Sequence, residues 1–162
     1  MQPSAPIPEG AARRAALSAE IAAATGLSDA GITALLRDFY ARARADDLLG
    51  PVFARVAHWD DHIAKVSDFW SSVALMTGRY HGQPMRAHFG LGLTPAHFAR
   101  WLALFSATVA EHCTEAGAAL LTARARTIAS SLEMGIAVAD GVLPTRHTPP
   151  QRPASGGAGA DA

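Results

Sequence analysis

Residues 59–80 read WDDHIAKVSDFWSSVALMTGRY, residues 81–93 read HGQPMRAHFGLGL, and residues 94–101 read TPAHFARW. In the first piece Trp59, Ile63, Val66, Phe69, Trp70 and Val73 repeat on one helix face, which predicts a helix over 58–77 ended by Gly78. The second piece is turn-rich, with Gly82 and Pro84. Its run from Pro84 to His88 has room for one helical turn with proline at the first position. Thr94-Pro95 is a start signal, and the helix it opens carries Phe98, Trp101, Leu102, Phe105 and Val109 to near His112. Two helices thus face each other across a loop, with one imidazole, His62, before the loop and another, His88, inside it.

Upstream, Ser28 is a helix cap, and Ile32, Leu35, Leu36, Phe39 and Ala43 form one stripe of a helix over 29–44. Leu49-Gly50-Pro51-Val52-Phe53 breaks that helix and starts a short new one. An alanine-rich segment over 16–24, ending at Gly26, predicts a short helix that the core can do without, and residues 1–12 are expected to be disordered. Downstream, Leu121, Ala125, Ile128, Leu132 and Ile136 mark the buried side of a helix over 116–138. From Gly141 the chain is rich in Pro, Gly, Ser and Ala and is expected to be a disordered tail. No segment alternates with a period of two, so the fold class is all-α. It divides into an N-terminal extension (1–27), one domain (28–140) and the tail (141–162).

Composition narrows the function. At 162 residues, 49% apolar and 17% charged, the chain suits one globular domain with a real core. Fourteen basic and fourteen acidic residues cancel, so no nucleic-acid partner is expected. Cys113 is alone, which excludes an intramolecular disulfide and a cysteine metal cluster and suits a reducing cytoplasm. The N-terminus lacks the apolar core of a signal peptide, and no run of about 18 apolar residues occurs, so no membrane span is expected. A monomer is the default.

The histidines at 58, 62, 81, 88, 97, 112 and 147 fall in no HExxH or Cys/His zinc pattern. No carboxylate pair lies on an apolar stripe, Ser71-Ser72 lacks a strand-turn-helix setting, and no glycine-rich phosphate loop is present. No residue is assigned a catalytic role. What remains is the pair of imidazoles on facing elements, a layout suited to gripping a flat cofactor with a metal at its centre. Bland readings stand beside it. His62 serves equally as a boundary histidine with its edge in water, and His88 as a loop histidine bonding the backbone. His97 competes for the metal, but its place in a first helical turn predicts a surface position. Tyr40 and Trp101 each combine a large apolar body with one hydrogen-bond donor on a buried stripe. With His62 they would surround a small polar ligand with donors.

The sequence resembles the third group of the truncated hemoglobins. The resemblance is carried by Phe39-Tyr40, the LGPVF run at 49–53, Trp59-Asp60-Asp61-His62, Phe69-Trp70, Tyr80-His81-Gly82-Gln83-Pro84, His88 and the HFARWL run at 97–102. It covers Ile32 to Met134, and the paired-glycine motifs of the other truncated groups are absent. It implies a truncated globin fold, two helices over two around a heme b, with an extra N-terminal helix. His88 falls at the proximal iron ligand, and Tyr40, His62 and Trp101 at the distal pocket. Phe39, Phe53, Val66, Phe69, Met85 and Phe98 join His88 and Trp101 as cofactor contacts, and Lys65 falls where a basic side chain reaches a heme propionate. The N-terminal extension, the long tail and the Gly90/Gly92 flank depart from the family pattern.

The resemblance implies a protein that binds dioxygen and other diatomic ligands, carbon monoxide, nitric oxide and cyanide among them. Donors from Tyr40 and Trp101, each worth about 1.5–3 kcal/mol to a partly charged acceptor, imply slow oxygen release. Whether His62 adds a third bond, swings as a gate or binds the iron stays open. The alternative is a heme enzyme for nitric oxide dioxygenation or peroxide reduction. Because no flavin or nicotinamide domain is apparent, that enzyme would need an external reductase. A cofactor-free helical interaction module is the third reading, and it predicts colourless protein.

Overall fold

In a computed structural model, which describes residues 9–141, the apolar stripes become six α-helices and one 3₁₀ segment. These are α1 (Glu9–Thr25), α2 (Asp29–Ala45), the 3₁₀ segment Gly50–Arg55, α3 (Trp59–Leu75), α4 (Pro84–His88), α5 (Pro95–His112) and α6 (Glu115–Ala139). No strand occurs among the described residues. The expected all-α class is the observed one among these residues. No described helix is long and apolar enough to cross a membrane.

Two helix pairs make the frame. α2 packs on α3, α5 packs on α6, and α2 crosses α5 to join the pairs. The Ser28 side chain accepts from the Gly31 amide and starts α2, whose stripe of Ile32, Leu35, Leu36, Phe39 and Ala43 is buried throughout. Phe39 and Phe105, both nearly inaccessible, meet edge to face with ring centres 5.4 Å apart at the crossing. A smaller cluster of Phe98, Ala129 and Leu132, with Met85 packed on it, fills the end of the α5–α6 pair.

Two expectations are corrected at the ends of elements. Residues 9–12 are helical rather than disordered, because Ala11, Ala12 and Ala15 are strong helix formers and α1 lies along α3 and α6. The rest of the stretch 1–12, and the expected tail beyond Gly141, lie outside the described residues. α3 ends at Leu75 rather than Thr77, with Met76 left-handed at φ 58°. Tertiary bonds explain that stop. Ser18 of α1 donates to the Leu75 carbonyl, which the helix leaves free, and Ser71 and Ser72 hold Thr77 and the Tyr80 amide against the helix.

The backbones of α3 and α5 do not pack on each other, nor do those of α3 and α4. Trp70 of α3 spans the gap to α5, lying nearly parallel to Phe105 (4.8 Å between centres) and Trp101 (6.4 Å). Large rings hold the helices apart here, and the space beyond them stays open. Phe105→Ala removes the shared partner of Phe39, Trp70 and Trp101. We expect it to cost about 3–5 kcal/mol in urea unfolding; a cost below about 1 kcal/mol would mean that this contact does not hold the crossing.

Candidate cofactor site

The open space between α3 and the α4–α5 side is a cavity of about 420 Å³, within the size range of small-molecule and cofactor sites. Val66, Phe69 and Trp70 come from α3, Phe98 and Trp101 from α5, Ile128 and Leu132 from α6, and Phe53 from the 3₁₀ segment. The charged or titratable basic groups on its lining are Arg55, Lys65, His62, His88 and His97; no Asp or Glu among the described residues lines it. An apolar slot with basic groups and no acidic ones suits an apolar molecule that carries anionic groups.

His88 belongs to a helix of five residues, flanked by Gly90 and Gly92 at φ 73° and 69°. Both glycines stand in the left-handed region that side-chain-bearing residues resist, and they turn the chain from α4 into α5. Met85 fixes α4 to α6. Its sulfur lies where a Cβ at Gly135 would clash with it, so the small residue on α6 creates the seat. His88 Nδ1 lies 2.6 Å from the Pro84 carbonyl oxygen. A carbonyl only accepts, so Nδ1 carries the proton and Nε2 keeps its lone pair for a metal.

On the α3 side stands His62, packed edge-on against Tyr40 and Trp59 with ring centres 5.0 and 5.3 Å away. Its Nε2 is buried and has no hydrogen-bond partner among the described residues. Burial and, secondarily, the nearby Lys65 charge hold its pKa below the ordinary histidine value. A buried polar atom left without a partner calls for one that the protein does not itself supply. Burial also pushes the Tyr40 hydroxyl far above the usual phenol range, so it remains a proton donor at every working pH.

Of the sequence-derived site residues, Tyr40, Phe53, His62, Lys65, Val66, Phe69, His88, Phe98 and Trp101 share this one cavity. Phe39 and Met85 do not line it. Phe39 stands behind Tyr40 and Trp101, and the Met85 side chain packs on α6 instead. His97 departs from its expected surface place. It is half-buried and lines the cavity, and its ring also folds back to cap α5. Arg55, Tyr80, Leu91, Leu93, Ile128 and Leu132 also line the cavity and were not singled out as site residues. Ile128 and Leu132 had a signal in the α6 stripe; Arg55 had none.

The 3₁₀ segment that brings Phe53 and Arg55 is itself anchored. Asp46 accepts from the Leu48 and Leu49 amides through one oxygen and pairs with Arg100 Nε at 2.6 Å through the other. The Leu49 amide and then Arg100 hold its carboxyl below the usual range.

Among the described residues no group of three or more His, Cys, Asp or Glu could chelate a bare ion. One free imidazole lone pair, an apolar slot and basic groups instead fit a metal that arrives in its own macrocycle. Heme has that chemistry, and the residues present fit it.

Comparison with known proteins agrees. Residues 23–132 match the family described as bacterial-like globin. The group 3 truncated hemoglobin of Campylobacter jejuni is 32% identical over 113 residues, covering 66% of this chain and 89% of that protein. The crystal structure of group III truncated hemoglobin from Campylobacter jejuni superposes with a TM-score of 0.63 at 32% identity, over 68% of this chain and 91% of the other. The chain belongs to the bacterial-like globin family as a truncated hemoglobin of the third group, a membership that implies heme binding.

Proposed function

We propose that the protein holds a heme b through His88 and binds dioxygen, carbon monoxide and nitric oxide beside Tyr40, His62 and Trp101, releasing oxygen slowly. The observation that carries this reading is the pair of imidazoles in one cavity, His88 with a free Nε2 lone pair and His62 with an orphaned Nε2. A bound heme would supply an iron that can bind a diatomic ligand. The Pro84 carbonyl orients the His88 ring and fixes its tautomer. Phe53, Val66, Phe69 and Phe98 exclude water from the cofactor faces, and Lys65 offers a charge to a cofactor carboxylate. Phe39 and Met85 support the site from behind.

The Tyr40 hydroxyl and Trp101 indole N–H donate to a ligand that gathers negative charge, and His62 supplies a further partner. The same donors favour a second reading, chemistry on the retained ligand with electrons from an external reductase: nitric oxide dioxygenation or peroxide reduction. Rapid mixing of the oxygen-loaded protein with nitric oxide separates the two, since slow oxidation, or failure of a reductase to restore the ferrous form, removes the enzymatic reading.

Visible spectra of the ferric, dithionite-reduced and carbon monoxide forms should show a Soret band that shifts with carbon monoxide and is lost or altered in His88→Ala. Protein that takes up no hemin would end the proposal, and an unchanged mutant spectrum would move the axial role off His88. Tyr40→Phe and Trp101→Phe should each speed oxygen dissociation by about tenfold or more, from bonds of about 1.5–3 kcal/mol; unchanged rates in both would remove these donors from the site. A third test uses apo-protein. The depressed His62 pKa means that the unfolded chain binds more protons, so its contribution is complete above the ordinary value of 6.5 and is lost as pH falls toward the lowered folded value. His62→Gln should flatten denaturant stability against pH in that window, and an identical slope in the two proteins would count against a buried, neutral His62.

A further inference from the structure

His97 is occupied at one ring nitrogen and open at the other. Its Nδ1 accepts the Thr94 backbone N–H at 3.0 Å and lies 2.8 Å from Thr94 Oγ1, closing a capping box at the start of α5. A ring nitrogen that accepts a hydrogen bond carries no proton, so the proton of a neutral ring sits on Nε2. His88 is the reverse, with Nδ1 donating and Nε2 free. The cavity therefore receives two imidazoles of different kind from α4 and α5. One offers a lone pair to a metal, and the other offers an N–H. That difference also argues against His97 as the axial ligand, since its Nε2 lone pair is taken by a proton.

His97 shares the lining with Arg55 and Lys65, in a cavity that no Asp or Glu among the described residues lines. A donor of fixed tautomer in such surroundings recognises an anion. We propose that His97 is a carboxylate-holding residue: its Nε2–H, oriented by the Thr94 cap, donates to a carboxylate of the bound cofactor. The inference rests on the heme reading above, heme being an apolar disc with carboxylates on one edge. Thr94 is then a positioning residue, and the same two bonds that start α5 set the face that His97 presents to the ligand.

The test times the release of hemin, and separately of hemin dimethyl ester, from the full chain to an excess of scavenging apoglobin. The proteins compared are wild type, His97→Glu and His97→Gln. Glutamate and glutamine at this position can both reach back to the N-cap amide, so each keeps the start of α5, and apo-protein melting is expected to be unchanged. Hemin should leave His97→Glu about tenfold faster or more, because a donor to a charged group is replaced by a like charge. His97→Gln, which retains an amide N–H, should stay near the wild-type rate. With the ester, whose carboxylates are blocked, wild type and His97→Glu should release alike. Equal hemin release from these two proteins, or the same acceleration with the ester as with hemin, would overturn the inference while leaving the heme reading intact. If wild type takes up no hemin, the heme reading itself falls.

Discussion

The stacked rings of Trp70, Phe105 and Trp101 set the spacing on which the rest of the molecule depends. Leucine or alanine at these positions would let α3 and α5 close on each other, and helices in direct contact sit only about 8–10 Å apart. Three near-parallel aromatic rings, with Phe39 edge-on against Phe105 and Trp101, act instead as a rigid spacer. The apolar area buried at this crossing stabilises the fold, and the same contact keeps a space open beside it. Core and cavity are two sides of one packing arrangement, since Trp70 and Trp101 belong to both.

Polar bonds then aim the pieces that the rings hold apart. Asp29 at the start of α2 accepts from Arg79 and Ser71, and those bonds keep its carboxyl low against the opposing effect of burial. That network ties the loop after α3 to the frame just before α4 begins. Asp46 does the same for the 3₁₀ segment on the other flank of the cavity. Each tether joins a loop to a helix of the frame. Loops with few apolar residues of their own therefore present side chains to the cavity in defined places.

Most of the frame was legible because each helix buries one face. The stripes of α2, α5 and α6 repeat with helical period and predict elements within a residue or so of those observed. Legibility failed where the deciding contact comes from elsewhere in the chain. The end of α3 is set by Ser18 of α1, and nothing near Leu75 in sequence announces that bond. His97 looked like a surface residue from its place in a first turn. The reach of its ring back to Thr94 is a local capping event, readable in principle, but its presence on the cavity wall is a tertiary fact. Phe39 and Met85 show the converse limit. Their place on the buried side was readable, while one layer of depth was not.

The brevity of α4 has a thermodynamic consequence. A helix of five residues with no buried side chain cannot meet the cost of its own nucleation, which leaves even peptides of about 12–15 residues marginal in water. Its shape is borrowed from the seat of Met85 on α6 and from the two left-handed glycines beyond it. A ligand that bonds to His88 must therefore spend part of its binding energy holding this turn in place. Affinity at the cavity and local order in one short segment are a single coupled quantity, so a substitution well away from the cavity that loosens α4 weakens binding without touching the ligand.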